Sequence, residues 1–252
     1  MQTLREAILV FRQQLRLLLR EPVWVVIALI QPLLYLVLFG PLLEKVAAPG
    51  FPAGDSWVVF VPGLLIQLGI FGSLFVGFGL LSDVHYGVLE RLRVTPASRL
   101  ALLLGRVFRD TLVLVLQATI LSLVAVAFGL RVPLAGAVIT VGIIALLGIA
   151  LSSLSYAAAL RLKTEDALAQ VLNTLSVPVL LLSGILLPMT MAPGWLYGLS
   201  RANPFSYVVD GARAAFRGEL GGTALLAGLA AAVALAVIGL VVGTRTFQRD
   251  QA

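Results

Sequence analysis

Side chains that perform catalysis or hold metal ions are scarce in this chain of 252 residues. It has no cysteine and one histidine, His85, so thiol chemistry, thiolate metal sites and a histidine pair are excluded. The lysines are Lys45 and Lys163, which follow Glu44 and Leu162, whereas a nucleotide-binding P-loop has glycine directly before its lysine. We therefore expect a protein that is not an enzyme, with no catalytic, cofactor-binding or metal site of its own. Any energy for work must come from another subunit.

The composition is that of a membrane protein. Apolar residues make up 60% of the chain and charged residues 12%, and the mean hydropathy is +1.04. Soluble domains carry about 25% charged residues, so a soluble enzyme, a disordered tail and a disulfide-stapled domain are all excluded. The net charge of +6 follows from the distribution of basic residues described below, and a nucleic-acid partner is unnecessary.

Six long runs without charge divide the chain, and each is long enough to cross a bilayer of about 30 Å as a helix. We predict an all-α polytopic fold, a single transmembrane domain over residues 1–252. The predicted spans are 22–43, 57–82, 111–130, 132–160, 167–187 and 221–244. None of these spans contains Asp, Glu, Lys, Arg or His, which argues against an ion-coupled carrier and against an intramembrane enzyme.

Three prolines break the helical pattern in and after the fifth span. The uncharged run from 167 contains Pro178, Pro188 and Pro193, so it cannot form one straight helix. We predict a broken or re-entrant outer segment over 188–220, which needs protein or a water-filled cavity around its backbone.

Basic residues set the orientation. The amino terminus, the second and fourth loops and the carboxyl terminus carry 13 Lys and Arg, against 5 on the opposite side. The positive-inside rule then places both termini in the cytoplasm. Apolar residues in the first segment recur at helical spacing, which predicts an amphipathic interfacial helix over 1–21 on the bilayer surface. A soluble helix packed on a partner is the alternative for this segment.

The longest charged loop covers residues 83–110 and contains a short amphipathic helix over 88–93. Leu89 and Leu92 share one face, while Glu90, Arg91 and Arg93 occupy the others. Such a helix suits docking into a groove of a partner protein, and a basic loop resting on anionic lipid is an equal alternative.

Amide side chains lie in the middle of several spans. Gln31, Gln67 and Asn173 are candidates for a substrate path, because an amide that faces lipid leaves its donors unsatisfied. For any single amide, a hydrogen bond between helices without cargo contact is the favoured alternative.

Two sequence motifs resemble those of ABC-2-type exporter permeases, and the resemblance covers nearly the whole chain. Residues 87–99, GVLERLRVTPASR, are similar to the family pattern G-x-L-E-x-L-x-x-T-P-x-S-R after the second span. Residues 184–188, 193–195 and 203–213 (GILLP, PGW and NPFSYVVDGAR) resemble the outer segment before the last span. The daunorubicin-resistance-like drug exporters are the most similar branch.

The resemblance implies a permease in the cell (inner) membrane that acts as a homodimer or with a paralogous permease. Two copies of an ABC ATPase on a separate chain would bind ATP and Mg²⁺. Residues 88–93 would be the coupling helix to this ATPase, which the interfacial helix would also touch. Outer-gate residues would be Pro188, Pro193, Trp195, Asn203 and Pro204.

The implied function is ATP-driven export of an amphipathic small molecule, such as a drug or antibiotic, or of a lipid-like substrate. Export of a polysaccharide or lipid-linked glycan is an alternative, although the aromatic content of 8% weighs against a path lined with stacked aromatic rings. A stand-alone membrane channel without an ATPase is the alternative from another class.

Overall fold

The computed structural model describes residues 2–20, 23–44, 56–87 and 98–249, and these residues form an all-helical bundle. In chain order the α-helices are α1 (Gln2–Arg20), α2 (Val23–Glu44), α3 (Ser56–Leu74), α4 (Val76–His85), α5 (Arg99–Ala127), α6 (Leu134–Leu162), α7 (Glu165–Leu182), α8 (Gly194–Ser200), α9 (Pro204–Phe216) and α10 (Thr223–Arg249), with a 3₁₀ turn at Met189–Met191.

Five helical stretches of the described chain are long and apolar enough to cross a membrane. They are Trp57–His85, Leu100–Ala127, Leu134–Leu162, Glu165–Leu182 and Thr223–Arg249. A sixth candidate is formed by α1 and α2 together, whose described parts meet at an angle of 70°. The predicted all-α polytopic fold is therefore confirmed, and the described chain has five to six candidate spans.

The central element is α6, which packs against α3, α4, α5, α9 and α10. Its buried face includes Ile143, Ile144 and Leu147, which belong to the main apolar core. Helix α10 approaches α6 closely at Gly239, because glycine has no Cβ. A Cβ built there would lie 2.3 Å from the Ala150 carbonyl oxygen. Small residues thus bring the two backbones into direct contact within one chain, as expected where apolar burial alone cannot hold helices together in lipid.

Helix α1 packs along the first half of α5. Ala7 and Val10 are buried there, and the Glu6 carboxylate accepts a hydrogen bond of 2.8 Å from the Ser98 backbone N–H, directly before α5. Ile8 and Leu17 remain exposed. The described part of α1 makes an angle of 70° with that of α2, and the placement of α1 on the bilayer surface stays a prediction.

The beginning of α5 differs from the sequence prediction. The third span was expected to begin at residue 111, after a loop ending at 110, but the helix begins at Arg99 with Ser98 as its N-cap. The Ser98 hydroxyl accepts from the Ala101 N–H at 3.3 Å. The helix therefore includes Arg106, Arg109 and Asp110 before the predicted start of the span, and the predicted bounds of the third span stay a prediction.

Candidate functional site

A pocket of about 410 Å³ between α2 and α3 brings together two of the three predicted path residues. Gln67, on α3, is 6% exposed, and its Oε1 has no hydrogen-bond partner in the described chain. Gln31 projects from α2 into the same pocket, which Phe71 and Phe75 also line. The centroids of these two rings are 6.3 Å apart, in a stacked arrangement. The pocket therefore combines two amide side chains with aromatic surface, while the Gln67 Oε1 atom is itself buried and unpartnered within the described residues.

The third predicted path residue, Asn173, lies elsewhere. It is exposed on α7 and does not line the pocket of Gln31 and Gln67. Gln117, by contrast, is buried on α5, and its Nε2 donates a 3.0 Å hydrogen bond to the Val25 carbonyl of α2. Of these amides, Gln117 fixes one helix to another and Gln67 keeps a free acceptor.

A buried cluster of charges joins α4, α5 and α6 near the end of the bundle where α4 ends and α5 begins. Arg106 is 2% and Asp110 is 5% exposed. Arg106 Nη2 lies 2.7 Å from Asp83 Oδ2, and Arg109 Nε lies 3.0 Å from Asp110 Oδ1. Neither nitrogen meets hydrogen-bond geometry, so both contacts are ion pairs by distance. The Tyr156 hydroxyl of α6 donates to Asp110 Oδ2.

This charge cluster was missed by the sequence reasoning, which treated every charge as the edge of a span. The signal was present, because Arg106 and Asp110 are four residues apart and lie on one face of a helix. Opposite charges at that spacing can pair inside the bundle. A small cavity of about 150 Å³ reaches Arg109 and Asp110. It shares Ala28, Gly72 and Val76 with the pocket of Gln31 and Gln67.

Arg213 organises the segment between α7 and α10. It is 3% exposed, and its Nε donates to the Val59 carbonyl at 3.0 Å. Its Nη2 donates to the carbonyls of Gly184, at 2.8 Å, and Ile185, at 3.2 Å. Gly184 has a φ of +75°, so the chain turns there with its carbonyls directed at the guanidinium. Burial lowers the pKa of Arg213 to about 10, and the group stays charged at neutral pH.

The predicted outer-gate residues begin or connect the short helices of this segment. Asn203 caps α9 by accepting from the Phe205 N–H at 3.1 Å, with Pro204 in the first turn. Its Nδ2 donates to the Val179 carbonyl at 3.0 Å, which ties α9 to α7. Pro188 precedes the 3₁₀ turn and Pro193 precedes α8.

Trp195 is 72% exposed on α8, and α8 is held by a polar cluster around Arg201. Arg201 Nη1 lies 3.0 Å from Asp210 Oδ2, and its Nη2 donates to the Tyr197 hydroxyl at 2.9 Å. The guanidinium also stacks over the rings of Tyr197 and Tyr207, at 4.7 and 5.1 Å from their centroids. This cluster joins α8 to α9, while gating by the segment stays a prediction.

The predicted coupling residues Leu89, Glu90, Arg91, Leu92 and Arg93 lie outside the described residues. The chain on either side of them is described and is fixed to the bundle. Asp83 precedes the undescribed stretch and Arg106 follows it, so their 2.7 Å ion pair joins its two sides. Within the described ranges, no group of three or more potential ligands could hold a metal ion.

Comparison with known proteins decides the family. Residues 5–216 match the ABC-2 type transporter family. The chain belongs to that family. A putative transport permease (ycf38) of Cyanophora paradoxa is 30% identical over 194 residues, which cover 76% of this chain and 67% of the relative. The predicted membrane subunit of an ABC exporter is thereby confirmed.

Two further ABC-2 relatives carry drug-resistance names. The daunorubicin resistance ABC transporter permease protein DrrB1 of Streptomyces coeruleorubidus is 26% identical over 203 residues, 79% of this chain and 71% of the relative. A probable doxorubicin resistance ABC transporter permease protein, DrrC of Mycobacterium tuberculosis, is 26% identical over 211 residues, 82% of this chain and 74% of the relative. The expected resemblance to daunorubicin-resistance permeases is confirmed.

Proposed function

We propose that this ABC-2 permease exports an amphipathic small molecule, drug-like or lipid-like, and works as a homodimer with two copies of a separate ABC ATPase. The ATPase would bind ATP and Mg²⁺ and hydrolyse the nucleotide, while this chain supplies the path. The names of the daunorubicin- and doxorubicin-resistance relatives support a drug-like cargo.

The observation that carries the proposal is the free acceptor of Gln67 beside Phe71 and Phe75. A buried amide oxygen without a partner costs about 1–3 kcal/mol, and burial of such a group calls for an explanation beyond folding. If the Gln67 side chain turns this oxygen toward the pocket, a cargo with an apolar ring or chain and one hydrogen-bond donor would satisfy it and cover the aromatic surface. The pocket volume of about 410 Å³ lies within the range of roughly 300–1,000 Å³ that small-molecule sites occupy.

Exposed amides support a second copy of the chain. Asn173 and Gln170 are exposed on α7, and Gln31 is exposed on α2. In a bilayer an amide that faces hydrocarbon lacks partners for its donors, so these faces are suited to a second subunit or a water-filled path. Both helices also lie at the edge of the bundle within the described chain. The main helix contacts of α7 are with α4, α6 and α8, and those of α2 are with α3 and α5.

The proposed orientation of the chain follows from the distribution of basic residues. Both termini would face the cytoplasm, with the chain in the cell (inner) membrane. The 13 basic residues then face the same compartment as the ATPase. Helix α1 would lie on the cytoplasmic surface of the bilayer, where its exposed leucines contact lipid.

Energy would enter through the helix over 88–93. The Asp83–Arg106 ion pair holds the two sides of this loop together, and Glu6 fixes the start of α5 to α1. A displacement of the loop by the ATPase would therefore move α1, α4 and α5 together. The Asp110–Tyr156 hydrogen bond extends that connection to α6.

The test of the cargo pocket is Gln67→Leu in the permease co-expressed with its ATPase. Leucine keeps the volume but removes the unpaired acceptor, so thermal stability should stay the same or rise. Loss of one hydrogen bond, about 0.5–1.5 kcal/mol, should weaken apparent cargo affinity roughly 2–10-fold. Efflux of daunorubicin from cells, measured over a range of concentrations, gives the affinity.

The matched control is Ser73→Ala on the same helix. Ser73 is fully buried, but its hydroxyl donates to the Gly69 carbonyl of its own helix and does not line the pocket. Efflux by the control should equal that of the wild type. If Gln67→Leu exports daunorubicin as the wild type does over the whole concentration range, the cargo does not bind in the pocket between α2 and α3.

A further inference from the structure

An apolar pocket of about 510 Å³ separates α7 from α6 and the end of α3. Leu151 and Leu154 of α6, Leu175 of α7 and Leu74 of α3 are among the residues that line it. Arg161, near the carboxyl end of α6, is the single charged residue on its wall. This pocket is distinct from the one formed by Gln31 and Gln67, with which it shares no residue.

The serine hydroxyls on the pocket wall are already paired. The Ser155 hydroxyl accepts from the Gly77 N–H at 2.9 Å and donates to the Leu74 carbonyl. The Ser176 hydroxyl donates to the Leu172 carbonyl one turn earlier in α7. The interior thus has no free side-chain hydroxyl to recognise a polar ligand, and it suits hydrocarbon.

The length of the pocket matches one leaflet of a bilayer. From Arg161 to Leu151 the wall follows ten residues of α6, which corresponds to about 15 Å at 1.5 Å per residue. The hydrocarbon core of a bilayer is about 30 Å thick, so the pocket extends from the end of the span to about the midplane. Leu175 is 57% exposed at its edge, which leaves the pocket open sideways.

The charge at the mouth favours an anion. Arg161 is exposed and has no carboxylate within ion-pair distance among the described residues. The nearby acidic group at the start of α7, Glu165, lies 4.0 Å from His85 Nδ1 instead. An unpaired guanidinium at the bilayer surface is a donor for phosphate oxygens.

A second copy of the chain would contact the other side of α7. At about 100° per residue, the pocket-lining Val171, Leu175 and Val179 share one face of the helix. Gln170 lies about 100° or more from every pocket-lining residue of α7. Asn173 lies about 160° from Val171 and Leu175 but only about 60° from Ser176, at the edge of the pocket face. The amide face that we assign to dimer contact therefore leaves the pocket open to lipid.

We propose that the pocket between α6 and α7 binds one acyl chain of an anionic phospholipid, with the lipid phosphate on Arg161. The bound chain fills the gap that separates α7 from the core and so supports this loosely packed helix. This lipid site is separate from the proposed cargo pocket. It rests on the proposed function only for the orientation of the chain in the membrane, which places the bound lipid in the cytoplasmic leaflet.

The test titrates the purified full-length permease in a neutral detergent with phosphatidylglycerol and, separately, with phosphatidylcholine of the same acyl chains. Native mass spectrometry counts the retained lipid, so neither the ATPase nor any cargo is needed. Phosphatidylglycerol should bind more tightly than phosphatidylcholine. Arg161→Gln should weaken phosphatidylglycerol binding about tenfold and phosphatidylcholine binding less, because both lipids offer a phosphate to the guanidinium but only phosphatidylglycerol carries a net negative charge.

Arg131→Gln is the matched control, an exposed arginine before the other end of α6 that does not line the pocket, and it should keep the preference. Ala158→Phe should fill the pocket and weaken both lipids. Equal binding of the two lipids by the wild type, or equal losses for Arg131→Gln and Arg161→Gln, would overturn the proposal. A disulfide between two copies of Leu175→Cys, in a chain without native cysteine, would assign the pocket to a second subunit and overturn it as well.

Discussion

Replacing Asp110 by alanine should destabilise the permease more than most single substitutions. The Asp110 side chain is 5% exposed, pairs with Arg109 at 3.0 Å and accepts a hydrogen bond from Tyr156. Its removal leaves Arg109 and the Tyr156 hydroxyl without their partner inside the bundle. Breaking a buried pair from one side costs about 3–5 kcal/mol. At about 2–4 °C per kcal/mol for a chain of this size, Tm should fall by roughly 6–20 °C.

The assay is thermal unfolding of the purified permease in detergent, followed by tryptophan fluorescence. Tyr156→Phe removes only the hydroxyl, keeps the ion pair, and should cost about 1.5–3 kcal/mol. Asp166→Ala is the matched control, because Asp166 is exposed in the first turn of α7 and should contribute at most about 1 kcal/mol to the helix end. If Asp110→Ala unfolds within 2 °C of that control, the charge cluster does not join α5 to α6 as described.

Three further outcomes test other parts of the structure. Arg213→Lys cannot reach the three backbone carbonyls that the guanidinium contacts, so it should lower stability by about 1–3 kcal/mol in the same thermal assay. Gly239→Ala places a Cβ 2.3 Å from a backbone oxygen of α6 and should cost about 1–3 kcal/mol, whereas Gly142→Ala meets open space and should stabilise by up to about 1 kcal/mol. Equal Tm values for the two glycine variants would contradict the close contact of α10 with α6. Glu90→Ala should leave expression intact but weaken co-purification of the ATPase. If this variant co-purifies with the ATPase normally and exports at the full rate, the loop is only a lipid-facing tether.

The sequence predicted the spans well where apolar runs are uninterrupted. Residues 132–160 were expected to cross the membrane, and α6 covers Leu134–Leu162. Residues 83–110 are predicted as a loop before the third span, whereas α5 begins at Arg99 and includes Arg106, Arg109 and Asp110. From the sequence alone, charged residues that pair inside a bundle cannot be distinguished from charged residues that face water. Tertiary partners such as Asp83 and Tyr156 distinguish the two cases.

The candidate site was predictable only in part for a related reason. Each mid-span amide needs a partner, but the sequence does not say which amides share a cavity. The fold brings Gln31 and Gln67 together, gives Gln117 a carbonyl on α2, and leaves Asn173 exposed on another helix. Arg213 was counted as an outer-surface charge, and its three carbonyl contacts depend on the turn at Gly184. Such contacts arise from the packing of distant segments, which hydrophobic periodicity does not encode.

The most direct test of the proposed function is ATP-dependent transport by the permease reconstituted into vesicles with its ATPase. Daunorubicin flux is compared for vesicles with both subunits, with the permease alone, and with an ATPase that binds but cannot hydrolyse ATP. We predict flux against a concentration gradient only when both active subunits and ATP are present. Equal flux through the permease alone, without ATP, would contradict the proposal and indicate a stand-alone channel.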